Sequence, residues 1–329
     1  MNARQVKTLA IVLVILLVSL VAIIFTNKQG NDTSASGLLF PELRKQINEI
    51  SQVSISKASE SFTITNDSDR WVLTERNNYP VDIGKLRQLL LALADAKMLE
   101  EKTSDIEMYE RLGVENIGKN STGIEIRISG LDLEKSLILG KLAQRKYRYA
   151  RIPGQSKSWL IDQNPDLPNN LGGWLLPEIL DIDKSRIQAI TITHSDGETI
   201  YIEKQNSEDG NFDVSNIPDG RELSYASVVN SIANVLSDLK LQEIAKASEV
   251  ETDDNSVETI FRTFDGLKIT INSSLLEDET WITVNTNQDE MKSEEAVKIN
   301  EKLSGWKYQI QSYKGNQLRR RWDDILKSE

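Results

Sequence analysis

An internal repeat constrains this chain more than any other feature. Val53-x-Ile55, in the alternating stretch VSISKASESFTIT, returns as Ile190-x-Ile192 in IQAITITHSDGETIYIE. Trp71-x-Leu73 returns as Phe212-x-Val214. Leu86, Leu89, Leu90 and Leu93 return as Val229, Ile232, Ala233 and Leu236. The offset drifts from 137 to 143 residues, as short turn insertions would cause. A period of two marks a strand with one buried face, and spacings of three and four mark a helix with one apolar stripe. Further strands follow each helix, GIEIRIS, KSLILG, YRYARI and SWLID in the first copy, SVETIFRTFDGLKITI and TWITVNT in the second. The pattern predicts two modules of one topology, each an antiparallel sheet led by a hairpin with a helix packed on one face. A short helix is also expected at LFPELRKQINEI, ahead of the first hairpin.

The repeat assigns a role to DRWVLTERNNYPVD. Asp82 precedes the first helical stripe, and its counterpart in the second copy is Ser224. Aspartate and serine share little as catalysts, but each offers a short side-chain oxygen to the orphan N–H groups of a first helical turn. Asp82 and Ser224 are therefore expected as structural caps, and Trp71 and Phe212 as matched core aromatics. Between the copies lies NPDLPNNLGGWLLPEILDID, rich in Pro, Gly and Asn, which reads as a joint. Trp174 has no home in either repeat, so Trp174, Gly172 and Gly173 are the expected joint or partner surface.

The N-terminus is of another kind. Leu9 to Phe25 carries no charge over 17 residues, about 25 Å as a helix, close to the roughly 30 Å of a hydrocarbon core. No small-x-small cleavage site lies nearby. An uncleaved transmembrane helix is expected, with the lipid bilayer as its partner. Arg4 and Lys7 ahead of it place the N-terminus in the cytoplasm, so that this is a single-pass protein of the inner membrane with a periplasmic C-terminal part. The full expectation is an α+β fold. Residues 1–28 form the cytoplasmic tip and anchor, 29–40 a tether, 41–165 the first module, 166–185 the joint, and 186–329 the second module with a C-terminal helix.

Charge excludes some partners. Residues 30–329 carry 36 basic and 50 acidic groups, which would repel nucleic acid. Arg319, Arg320 and Arg321 beside Asp323 and Asp324 read as a solvated, salt-bridged helix face. The chain has no Cys and one His. His194 is expected as an exposed turn residue, since its counterpart Lys57 rules against a catalytic triad. The acidic loop 249–258 lacks the Gly and the final Glu of an EF-hand, and GKLAQRK lacks the spacing of a phosphate-binding loop. No cofactor, metal site or catalytic residue is expected.

FPELRKQINEISQVSI, the W-x-L-x-E-R-x-x-Y-P-x-D run with the following Lys-Thr-Ser, and GWKYQIQSYKGNQLRRRWDDIL resemble one bacterial envelope family, domain-of-unknown-function family four-three-four-zero, over about residues 40 to 325. The resemblance implies a membrane-anchored protein often encoded beside gliding-motility-type ABC transporter components. It supplies no catalytic residues. The leading expectation is a non-enzymatic, membrane-anchored binding or scaffold protein, accessory to an ABC transporter permease or envelope complex. The rivals are a glycan hydrolase working through carboxylates and a ligand sensor with a pocket near Gly172, Gly173 and Trp174.

Overall fold

The computed structural model of the chain describes residues 37–68, 70–130, 134–249, 255–288 and 294–328. The chain divides into two compact units, Met1–Val72 with Ile83–Leu167, and Leu73–Asp82 with Pro168–Glu329. It leaves the first unit after Val72, gives ten residues to the second, and returns at Ile83.

In the first half of the chain, strands β1 (Gln52–Ser56), β2 (Ser61–Asp67) and β3 (Arg70–Leu73) precede the two-residue β4 (Tyr79–Pro80) and helix α1 (Ile83–Asp95). β5 (Met98–Thr103), the short helix α2 (Tyr109–Leu112), β6 (Ile124–Ser129), β7 (Lys135–Ala143), β8 (Tyr147–Arg151) and β9 (Ser158–Ile161) follow. The sheet order is β4-β3-β2-β1-β6-β7-β8-β9-β5. Alternation sets the register. Phe62, Ile55, Ile126 and Leu137 face one another across four strands, with Ile64, Val53 and Ile128 in the next row. All seven are buried. A slip of one residue would turn each row out to solvent, so burial pins the pairing. α1 is made of strong helix formers, IGKLRQLLLALAD, and buries the stripe Leu86, Leu89, Leu90, Leu93 and Ala94.

The second half repeats the plan. β10 (Glu178–Leu180), β11 (Ile187–His194), β12 (Thr199–Glu203) and β13 (Asp213–Ser215) precede helix α3 (Asn230–Ala233) and β14 (Leu239–Lys246). β15 (Val257–Thr263), β16 (Leu267–Leu276), β17 (Glu279–Gln288), α4 (Glu294–Leu303), β18 (Trp306–Ile310), α5 (Ser312–Leu318) and α6 (Trp322–Ile325) complete it. With β4 and β10 set aside, the two sheets share one order, β3-β2-β1-β6-β7-β8-β9-β5 and β13-β12-β11-β15-β16-β17-β18-β14. Even the edges match, since β10 pairs with β14 while Leu38 bridges Lys97 just ahead of β5.

The core row Ile200, Ile192, Thr259, Ile271 and Val284 includes a buried threonine. Its hydroxyl donates to the Leu318 carbonyl at the end of α5 (2.9 Å). Thr286 does the same for Ala296 in α4 (2.9 Å). A buried hydroxyl without a partner would cost roughly 1–3 kcal/mol, so these bonds fix where the helices sit. Gly315 in α5 lies so close to Thr280 of β17 that any side chain there would collide with it.

Several expectations are corrected. Among the described residues no helix is long and apolar enough to cross a membrane, and the longest, α1, has 13 residues with one polar face. The expected span Leu9–Phe25 lies outside the described residues. The membrane-anchored fold, the bilayer contact, the single-pass inner-membrane location and the transporter permease partner are accordingly withdrawn, and the described architecture is two α+β units with large antiparallel sheets. The stretch LFPELRKQINEI forms turns and a 3-10 turn at Ile47–Glu49 in place of a helix. The second repeat's helix shrinks to α3 and a 3-10 turn at Asn234–Leu236. The boundary between the units, Leu167 to Pro168, falls within the expected joint 166–185.

Candidate functional site

The distinctive R-N-N-Y-P-V-D run is a strap of the second unit. A 3-10 turn at Thr74–Arg76 leads into Asn77 and Asn78, both left-handed (φ 52° and 60°), a conformation asparagine tolerates better than most residues. The reversal brings Arg76 to Glu243 of β14, where Nε and Nη2 donate to the two carboxylate oxygens at 2.7 and 2.8 Å. Tyr79 meets Trp306 of β18 edge to face, centroids 5.2 Å apart, and the Lys246 ammonium lies 3.6 Å from the centre of the same Trp306 ring. Val81 bridges Leu175, the Leu176 N–H donates to the Pro80 carbonyl (2.9 Å), and the Asp82 N–H donates to the Trp174 carbonyl (2.8 Å). Burial pushes the Tyr79 hydroxyl up to about 12, and raises Tyr308 of β18 as well.

Asp82 stands directly before α1, the position expected of a cap. Ser224 is used otherwise. Val229 holds the N-cap position of α3, five residues further on, and the Ser224 hydroxyl donates to the Ile325 carbonyl (3.0 Å). Trp174 closes a 3-10 turn, Leu171–Trp174, and is 1% exposed. A side chain on Gly172 would collide with the Gln242 carbonyl oxygen, and a Cβ on Gly173 would fall 2.6 Å from the Pro168 Cβ. The Asn170 side chain accepts from the Gly173 N–H (3.1 Å). Trp174 and Gly172 are therefore packed closely against other residues of the chain.

The lone histidine and the arginine run come together. His194 is only 5% exposed, correcting the reading of an exposed turn, and its Nε2 lies 3.0 Å from the Arg320 carbonyl. Arg321 pairs with Asp196 and Glu198 at 2.8 and 2.9 Å, and Glu198 also accepts from the Trp322 N–H (2.9 Å). Arg319 donates to the Ser273 and Asn255 carbonyls (2.9 and 3.1 Å). The three arginines lie between α5 and α6 and clamp that segment to the β11–β12 hairpin and to β16. Strand parity could have revealed His194, which shares a face with Ile190 and Ile192.

Other candidate groups are likewise committed. The Lys314 ammonium donates to the Val235, Ser237 and Asp238 carbonyls at the end of the α3 segment, and burial lowers its pKa. Arg151 serves the Val114 and Gln155 carbonyls and lies over the Tyr109 ring. Asp181 accepts from the Asp238 N–H (2.9 Å), and Asp183 caps its own turn through Ser185, which lowers its pKa. Of the acidic loop, residues 250–254 lie outside the described residues. Among the described residues no group of three or more His, Asp and Glu side chains is placed to hold a metal ion.

Two cavities stand out. One of about 530 Å³ lies between β10 and α4, and its charges answer one another: Glu178 with Lys302 (3.1 Å), Glu294 with Lys298 (3.7 Å), and Glu295 with Arg186 (2.8 Å). Arg186 holds Glu295 below the usual carboxylate range. The other, about 370 Å³ within the first unit, is lined by Ile47, Asn48, Trp71, Ile83, Leu86, Arg87, Leu90 and Leu91. Its outward residues Ile83, Arg87 and Leu91 escaped the sequence reading, although their i, i+4, i+8 spacing on one helix was the available signal.

The family model described as Domain of unknown function (DUF4340) matches residues 71–256, more than half of the chain, and the chain belongs to that family. The matched region is narrower than the resemblance, beginning at Trp71 and ending beyond β14, and it contains both the strap and its dock on β14. Comparison with curated proteins and with solved structures finds no match.

Proposed function

We propose that this DUF4340-family protein is a non-catalytic binding or scaffold module for a protein partner. The observation that carries the reading is where its charged groups go. His194, Lys314, Arg151 and Arg319 engage main-chain carbonyls of the protein itself. A catalytic centre sets perturbed titratable groups in a cleft. Here the strongly perturbed Tyr79 and Tyr308 are packed in a core, and Arg186, also strongly perturbed, is tied to Glu295 and Asp265. In the cavity between β10 and α4, Glu178, Glu294 and Glu295 each have a cationic partner. Large apolar and aromatic side chains also stand exposed, among them Ile83, Ile106, Leu142, Tyr225 and Tyr313.

The test is a photo-crosslinking amino acid placed singly at each of those five positions in the native host. Discrete protein adducts at a subset of positions are the expected result. Absence of an adduct at every position would overturn the reading.

A further inference from the structure

The geometry points to the groove along α1 as a docking site for a peptide segment of a protein partner, one that presents bulky apolar side chains beside a carboxylate. This rests on the binding reading above and gives it a site and a partner chemistry.

The first argument is composition. The groove has an apolar floor, Leu86 and Leu90, and apolar walls, Trp71, Ile83 and Leu91. Ile83 is 46% and Leu91 37% exposed, on a helix whose other large apolar residues are buried. Positions 83 and 91 are about 12 Å apart along the helix axis, room for two bulky side chains of a docking segment. Exposed apolar side chains gathered in one concavity and rimmed by polar residues mark interaction sites.

The second argument is the repeat, which shows how this flank is covered where the chain covers it itself. The counterparts of Trp71 and Arg87 are Phe212 and Asn230. In the second unit β12 and β13 are joined by the long loop 204–212, which folds onto that flank. The Asn230 side chain accepts from the Phe212 N–H (3.2 Å) and donates to the Gly210 carbonyl (3.3 Å) and to Asn211 (2.8 Å). Phe212 is 3% exposed, with the Lys204 ammonium 4.6 Å from its ring centre. In the first unit β2 and β3 are separated by only residues 68 and 69, so no loop of this length exists to do the same. Trp71 is left partly exposed.

The third argument is charge. Asn230 both donates and accepts, as its neutral loop requires, whereas arginine only donates. Arg87 is the one charged residue lining the groove, and among the described residues it has no ion pair or hydrogen bond. A lone guanidinium at the edge of an apolar groove selects a carboxylate, through a local charge-assisted pair. The occupant is thus acidic and amphipathic, and it supplies from another chain what loop 204–212 supplies within the second unit.

The test is a phage-displayed library of random 12-residue peptides panned against the purified full chain, with the selected peptides then synthesised and titrated. Selected peptides should share two bulky apolar residues and an Asp or Glu. Arg87→Glu and Leu91→Asp, both at exposed positions, should each weaken them at least tenfold with circular dichroism unchanged. Replacing the peptide's acid by Lys should restore binding to Arg87→Glu. Peptides that bind both variants as well as the parent overturn the groove while leaving the binding reading standing. Loss on Leu91→Asp with indifference to Arg87→Glu overturns the acidic partner. A library that yields no binder overturns the groove, while the binding reading stands or falls by the crosslinks.

Discussion

Arg76 grips Glu243 through both carboxylate oxygens, at 2.7 and 2.8 Å, across 167 residues of sequence. The pair joins the strap to β14, and both partners are about a quarter exposed. A two-pronged guanidinium pair held partly away from water is stronger than a surface ion pair. Arg76→Ala should cost about 1–2 kcal/mol after allowing for solvent screening. Arg76→Lys should recover less than half of that, since an ammonium cannot make the fork. Urea unfolding with a double-mutant cycle on Arg76 and Glu243 reads both, and additive single-variant losses would show that the pair contributes nothing of its own.

Acid should loosen the second unit by a definite route. Arg186 lies 2.8 Å from Glu295 and 2.6 Å from Asp265. Arg186 lowers the Glu295 pKa, while Thr263 and then Arg186 lower that of Asp265. Folded values depressed below the ordinary 4.5 and 3.8 contribute stability that is complete above those ordinary values. It is lost as pH falls through the lower folded values. The groups are substantially exposed, so the contribution is about 0.5–1 kcal/mol. Arg186→Met should be less stable than the parent at pH 7 and equal to it near pH 2, as followed by thermal melts. A gap that persists at pH 2 would assign the effect to packing.

Alkali acts on the strap. Tyr79 is buried and its hydroxyl titrates near 12, two units above its ordinary 10.0, because burial penalises the phenolate. A folded pKa above the unfolded one gives stability that is whole below pH 10 and is lost as pH rises through 12. The loss amounts to about 2–3 kcal/mol for one proton over that interval. Tyr79→Phe should flatten the decline between pH 10 and 12, and absorbance at the phenolate band should show one fewer tyrosine ionising on unfolding. An unchanged decline would place the alkaline sensitivity away from Tyr79, at groups such as Tyr308.

Local pattern carried the repeat. Val53 and Ile55 against Ile190 and Ile192 alternate in both copies, and the two sheets have one strand order. The helices were less legible for a stated reason. IGKLRQLLLALAD combines the right spacing with strong helix formers. SVVNSIANVLS keeps the spacing, but its Val, Ile, Ser and Asn favour helices less, and it folds as a four-residue helix and a 3-10 turn. The strap was not legible at all. Nothing near Arg76 announces Glu243 or Trp306, since such contacts arise from tertiary packing and not from local propensity. The groove was half legible: α1's buried stripe was read, while Ile83, Arg87 and Leu91 on its flank acquire meaning only beside Trp71 and against the covered copy in the second unit.

Trp174 separates a joint from a core. A tryptophan at a flexible joint would be partly wet, and its loss would loosen a linker while leaving the folded parts intact. The structure has Trp174 1% exposed, its carbonyl accepting from the Asp82 N–H and its turn packed beside β14, with Gly172 against the Gln242 carbonyl. Truncating a buried aromatic costs about 3–5 kcal/mol when the surroundings cannot collapse into the space. The turn is held on both sides, by the strap's hydrogen bond and by β14, so little collapse is available. Trp174→Ala should therefore lower the stability of the second unit by about 3–5 kcal/mol. Denaturant unfolding should shift, and hydrogen exchange should speed at Leu239–Lys246 together with Leu73–Asp82. Trp174→Phe, which keeps most of the ring, should recover much of the loss. Unchanged exchange at both segments, with new proteolysis confined to residues 165–185, would restore the joint.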